Sequence, residues 1–208
     1  MLQNRVDPFG NLIKTTARGA LMGNRGVLHD EQQQIRRTFK LKTWIACVLE
    51  FKGRKRKVMT PNRWTELFFL DEATSFAAGH RPCFECRRAD ADRFKTFWLK
   101  ANPEYGFDQK TSIKEIDAIL DKERICPDKS KVTFEEDANK LPNGTFVLFD
   151  EKPWLFWNGS VYPWTPFGYE PGMPLPDAKK MTVLTPRSVV RTFRAGYVPQ
   201  TAPTTFGA

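Results

Sequence analysis

Histidine is almost missing from this chain, with two in 208 residues. That leaves little room for a histidine-rich nuclease or metalloprotease site. Cysteine is scarce too, and four residues at irregular spacing do not form the framework of a disulfide-built secreted domain. No apolar run comes near the ~18 residues that a membrane-crossing helix needs. The opening stretch MLQNRVDPFGNLIKTTARG is broken by charges and by Pro-Phe-Gly, so no signal peptide is expected there. G-x-S-x-G, H-E-x-x-H, a Walker glycine loop and the Rossmann fingerprint are all absent. HRPCFEC shares letters with the zinc-deaminase pattern H-x-E…P-C-x-x-C, but no His-x-Glu lies upstream. The expectation is a reduced, cytoplasmic protein outside the enzyme classes that mark their sequences. A nuclease or glycosylase built on one carboxylate and one lysine leaves no such mark, so whether the chain is an enzyme stays open at this level.

Acidic residues are lacking in one region only. Residues 1–70 hold 14 Lys and Arg against 5 Asp and Glu, whereas residues 71–208 hold 19 of each. The whole net charge of +9 therefore falls in the first third. A local basic field attracts polyanions and steers their approach; by itself it can also be a solubilising surface. The field is densest in FKGRKRK, where Lys52, Arg54, Lys55, Arg56 and Lys57 surround Gly53. A strand is predicted over 38–51 and another over 64–70, which makes this cluster a hairpin tip. Such a tip can lie along phosphates or enter a groove as a β-ribbon. Its bland counterpart is a solvated turn that protects a sheet edge.

What is present suffices for a core: 40% apolar residues and six tryptophans, with no need of a disulfide or metal to fold. Residues 1–37 read as irregular, with turn chemistry in VDPFGN and MGNRG. Asp71 caps a short helix that Gly79 ends. Ala91, Phe94, Phe97, Trp98 and Ala101 make a helical stripe closed by Pro103. Ser112 and Glu115 open a further helix. Residues 127–140 read as a charged connector. A meander follows, carrying Trp154, Phe156, Trp157, Tyr162, Trp164, Phe167 and Tyr169, with the last three on a loop that could line a small-ligand or protein-interaction site. A strand and a helix come next, with Thr185 as the cap, Pro186 at its first turn and Gly196 as the stop, then a loose tail. The order of elements predicts an α+β fold, mostly antiparallel, with helices on one side. Two units, 1–126 and 127–208, or a single domain are both compatible with it.

The stretch LFFLDEATSFAAGHRPCFECRR carries the chemistry. Cys83-Phe-Glu-Cys86 spaces two thiolates so that both can face one tetrahedral metal; a redox pair or two buried thiols would have the same spacing. Arg81, Arg87 and Arg88 flank it and, with Lys52, Arg54, Lys55, Arg56 and Lys57, are the residues expected to hold nucleic-acid phosphates. This stretch resembles the second half of the metal-binding domain of the Ada family of DNA-repair proteins, over about twenty residues in which the short alanine-rich helix, Gly-x-Arg-Pro and both cysteines fall in register. The resemblance implies Zn2+ held in part by Cys83 and Cys86, Arg81 in the segment that stabilises the knuckle, and DNA as the partner. Positions 48–60 contain no cysteine, where the family has an earlier pair, so its methyl-accepting chemistry is not carried over. Two more ligands would have to come from His29, Cys47, His80 or Cys126. Cys47 and His29 complete the tidiest set, although Cys47 among Trp44, Ile45, Val48 and Leu49 also reads as a core thiol.

Overall fold

Short strands set the architecture, and several come from segments that read as loops. The computed structural model describes residues 1–54, 57–176 and 179–203. The first sheet is built from β1 (Gln3–Val6), β2 (Leu12–Lys14), β3 (Leu21–Asn24), β4 (Ile45–Cys47), β5 (Leu67–Phe69) and β6 (Arg81–Pro82). Their order is β2-β1-β5-β3-β4-β6. β1 with β5 and β4 with β6 pair in parallel, and the other neighbours pair antiparallel. The second sheet holds β7 (Phe134–Asp137), β8 (Phe146–Phe149), β9 (Lys152–Trp157), β10 (Ser160–Thr165), β11 (Gly168–Tyr169), β12 (Met173–Pro174) and β13 (Lys180–Val183). It runs β11-β10-β9-β8-β13-β7 with β12 beside β10, antiparallel in every pairing. With four α-helices among the described residues, the class is α+β, as the order of elements predicts.

The helices are α1 (Glu72–Ala77), α2 (Arg88–Ala101), α3 (Ile113–Arg124) and α4 (Arg187–Arg194). Phe76, Phe94, Trp98, Ile116, Leu120 and Phe193 join them in one apolar cluster. α1 is buried along its whole length and belongs to more than that cluster. Ala73 and Ala77 pack with Phe146, Leu155 and Tyr162 of the second sheet, while Ala78 packs with Val6, Leu67 and Phe69 of the first. Small side chains on two faces are what allow a one-and-a-half-turn helix to touch both sheets. Its start is fixed by Asp71, whose Oδ1 accepts from the Thr74 amide at 2.8 Å.

Gly79 ends α1 at φ +87°, and a Cβ there would lie 2.6 Å from Cδ of Arg124. Gly79→Ala is therefore expected to cost about 1–3 kcal/mol through backbone strain alone, with repacking of Arg124 added. The check is the urea midpoint of the purified variant; an unchanged midpoint would show that the turn relaxes freely. Close approach matters at Gly23 in β3 too, where a Cβ would fall 2.3 Å from the Phe69 ring.

Several expectations change. The strand predicted over 38–51 is only Ile45–Cys47. Upstream of it the amides of Lys40 and Leu41 both turn to the Arg25 carbonyl, and the Trp44 indole donates to Leu41 O at 2.8 Å. The segment thus wraps instead of extending. β4 and β5 do not pair with each other; each flanks β3. Lys52, Arg54 and Lys57 therefore lie in a longer connection between β4 and β5 and not on a hairpin tip, because β3, from the "irregular" first 37 residues, sits between the supposed arms. The charged connector contains β7, paired to β13. Thr185 does not cap α4, since its hydroxyl accepts from Phe146 N at 2.9 Å, and Pro186 occupies the cap position instead. The tail is docked at least as far as Ala202, whose amide donates to Asp71 Oδ2 at 2.9 Å.

Candidate metal centre and its surroundings

Cys47 is the last residue of β4, and Cys83 directly follows β6. The parallel pairing of these strands puts Ala46 opposite Pro82 and lets the Cys83 amide donate to Ala46 O at 3.0 Å. One turn of chain later Cys86 comes back under the same sheet edge, just before α2. The three sulfurs all lie within 4.8 Å of one another. Met22, Ile45, Trp64 and Phe68 pack around them. Sequence spacing placed Cys83 and Cys86 together; the strand pairing brings in Cys47 from 36 positions away.

Backbone amides point at the sulfurs. Glu85 N donates to Cys83 Sγ at 3.4 Å. The Cys83 thiol is held down to about 5, first by the hydrogen bond from Cys47 and then by the amides of Cys86 and Glu85. Cys47 is pushed up, because it donates to that thiolate and is buried. Burial raises Cys86 as well, with the Cys83 charge adding to it, against an opposing bond from the Val48 amide. The cluster thus holds one stabilised thiolate beside two thiols whose protons a cation would displace. These three residues lie close enough to bind a metal ion. All-sulfur donors are the choice of zinc, copper(I) and iron–sulfur groups.

A pocket of about 220 Å³ opens on the cluster, lined by all three cysteines with Met22, Phe51, Arg54, Trp64 and Glu85 among others. Three protein donors beside a cavity is the donor count of zinc sites that keep an exchangeable fourth ligand. Among the described residues no other histidine, cysteine or carboxylate joins the group. His29 is held elsewhere, with Nδ1 2.6 Å from Thr65 Oγ1 and Nε2 3.2 Å from Thr60 O. His80 packs on Trp44 and Phe69 and takes a bond from Arg25 Nε at 3.2 Å. Burial, then the neighbouring arginines, keep its ring neutral. Cys126 ends α3, half-buried and apart from the cluster.

The cations divide into two groups. Arg81 and Arg87 turn inward: Arg81 makes a two-pronged pair with Asp117 at 2.8 and 2.7 Å, and Arg87 pairs with Glu72 and Asp90. Lys52, Arg54, Lys57 and Arg88 are exposed. Arg54 reaches over the knuckle to Glu85 at 2.9 Å, so the basic loop is seated beside the cysteines. That link has no sequence signal, since the two residues are 31 positions apart. Lys55 and Arg56 lie outside the described residues. The expected aromatic loop is instead a tight hairpin, in which Trp164 of β10 pairs with Tyr169 of β11; it closes on α1, with Trp164 Nε1 donating to Thr74 at 3.1 Å and Tyr169 OH to Asp71 at 2.7 Å.

Comparison with protein-family models, with curated proteins and with solved structures finds no match to this chain.

Proposed function

We propose that this chain is a zinc-binding protein that contacts nucleic acid, DNA foremost, through the basic loop beside its three-cysteine centre. The observation that carries the reading is the Arg54–Glu85 contact, which ties the most cationic segment of the chain to the residue between Cys83 and Cys86. Zinc is favoured among soft metals because it suits thiolates without needing a redox partner. The metal would brace the loop, and Lys52, Arg54, Lys57 and Arg88 would meet phosphates. The likeness of residues 67–88 to the Ada-family knuckle extends the reading to DNA repair or damage response.

Binding to a labelled duplex across a salt series tests it. Each phosphate contact contributes about 0.9 to the slope of log K against log salt. Lys52→Gln, Arg54→Gln and Lys57→Gln combined should lower that slope by up to about 3 without lowering metal content. A slope equal to the wild type removes the loop from the interface. One observation favours a second reading, an enzyme on nucleic acid: three donors beside a pocket would leave a metal-bound water to act. Cleavage or base release from the same duplex, lost on chelation, would select it.

A further inference from the structure

A second cavity, also about 220 Å³, lies away from the cysteines, lined by Gly10, Arg25, Trp44, Arg124 and Lys131 among others. Three inward-turned cations, Arg25, Arg124 and Lys131, meet there, with Lys129 exposed at the rim. Arg25 and Arg124 are 1% and 2% exposed, and both guanidiniums lie against the Trp44 indole, at 3.9 and 4.0 Å from its ring centre. Lys131 Nζ reaches in to the Ala77 carbonyl. Buried charges are normally paired, because leaving one unpaired is strongly destabilising. Here the pairing is incomplete. Arg124 has Asp121 at 2.8 Å, but Arg25 and Lys131 form no ion pair among the described residues, and Asp7 acts on Arg25 only at longer range. Two buried donors, Arg25 Nη2 and Arg124 Nε, have no acceptor among the described residues.

The cations also weaken one another's hold on their protons. Arg25 is held down to about 9 by burial and by Arg124, and Lys131 to about 7 by burial and by Arg25. A sequence that converges three cations on one hollow and leaves two donors empty lacks an anion. We propose that this cavity binds a phosphate-class oxyanion, free or as the terminal phosphate of a small molecule. A tetrahedral dianion offers several oxygens to donors arriving from different directions, whereas a carboxylate offers a single charge in one plane. Charge-assisted bonds to guanidinium are among the strongest available. The volume agrees, being well above the ~30 Å³ of one water and below the ~300 Å³ at which drug-sized sites begin. This site depends neither on the metal nor on the basic loop.

The test is a calorimetric and thermal-melt titration of the whole protein with inorganic phosphate, against chloride at matched ionic strength. Saturable one-to-one phosphate binding that raises the melting temperature is expected. Lys131→Met, which keeps the apolar stem, should weaken it about tenfold with little change in the melt of the free protein. Absence of saturation in the wild type overturns the proposal, as does equal affinity in a folded Lys131→Met variant. Should that variant not fold, the wild-type titration alone decides. A nucleoside 5′-monophosphate that binds more tightly than phosphate, while the nucleoside does not bind, identifies a terminal phosphate; equal affinities identify the free ion.

Discussion

Protein with Cys83 replaced by serine is expected to lose its metal entirely, with the largest fall in thermal stability of any single substitution at the knuckle. Cys83 is the member of the cluster whose proton is most readily lost, because the Cys47 thiol and the amides of Cys86 and Glu85 donate to its sulfur. A serine hydroxyl in that place stays protonated and is a poor ligand for a soft ion. Structural zinc in isolated fingers is worth about 10–16 kcal/mol, but this chain has cores of its own around Phe69, Phe76 and Phe146. The loss should therefore appear as a lower melting temperature and not as an unfolded chain. Chelation should bring the wild type down to the level of the variant and leave the variant unmoved. Cys126→Ser is the control, since Cys126 lies outside the cluster, and it should retain full metal. Elemental analysis decides: one metal per wild-type chain and none in Cys83→Ser is the expected pair of values. Metal-free wild type purified under reducing conditions, or a fully loaded variant, would leave Cys47, Cys83 and Cys86 as packed thiols.

The same three cysteines show where a sequence is legible. Cys83 and Cys86 can be read because the spacing that makes them ligands is local, two residues between them on one turn. Cys47 was one candidate among four, and it also reads as a core thiol, which its burial beside Met22 matches. Its place in the cluster depends on a parallel contact between a three-residue and a two-residue strand. Pairing at that distance leaves no periodic trace: β4 and β5 fall inside stretches that read as strands, but nothing there names their partners, and the three-residue β2 is too short for alternation to establish itself. Caps and stops fared better, because Asp71 and Gly79 act on their immediate neighbours. Charge was the least legible property. Arg81, Arg87 and Arg88 are the same letter within eight positions, yet the first two face carboxylates, with Asp117 of α3 and Glu72 of α1 buried and Asp90 of α2 half-buried, and only the third faces solvent.

That difference makes Asp117→Ala a second severe substitution. Arg81 and Asp117 are each 4% exposed and share two hydrogen bonds, with a third to Asp117 from Thr43 at 3.1 Å. Removing one partner of such a pair leaves the other charged and dry, a loss of about 3–5 kcal/mol, against a total stability of about 5–15 kcal/mol for a typical domain. The urea midpoint should fall accordingly. Arg81→Met with Asp117→Leu removes both charges and fills the space, so it should recover much of the loss, which separates an unpaired charge from a mere cavity. The pair also anchors the knuckle: Arg81 is in β6, two residues before Cys83, and Asp117 is in α3. Releasing that anchor should loosen the Cys83–Cys86 turn, so metal affinity measured against a competing chelator should fall together with stability. A guanidinium held this way has no face left for a phosphate. Arg81→Met should therefore weaken duplex binding only as far as it costs metal and fold. If it weakened binding while leaving the midpoint and the metal untouched, the buried pair would be the wrong account of Arg81.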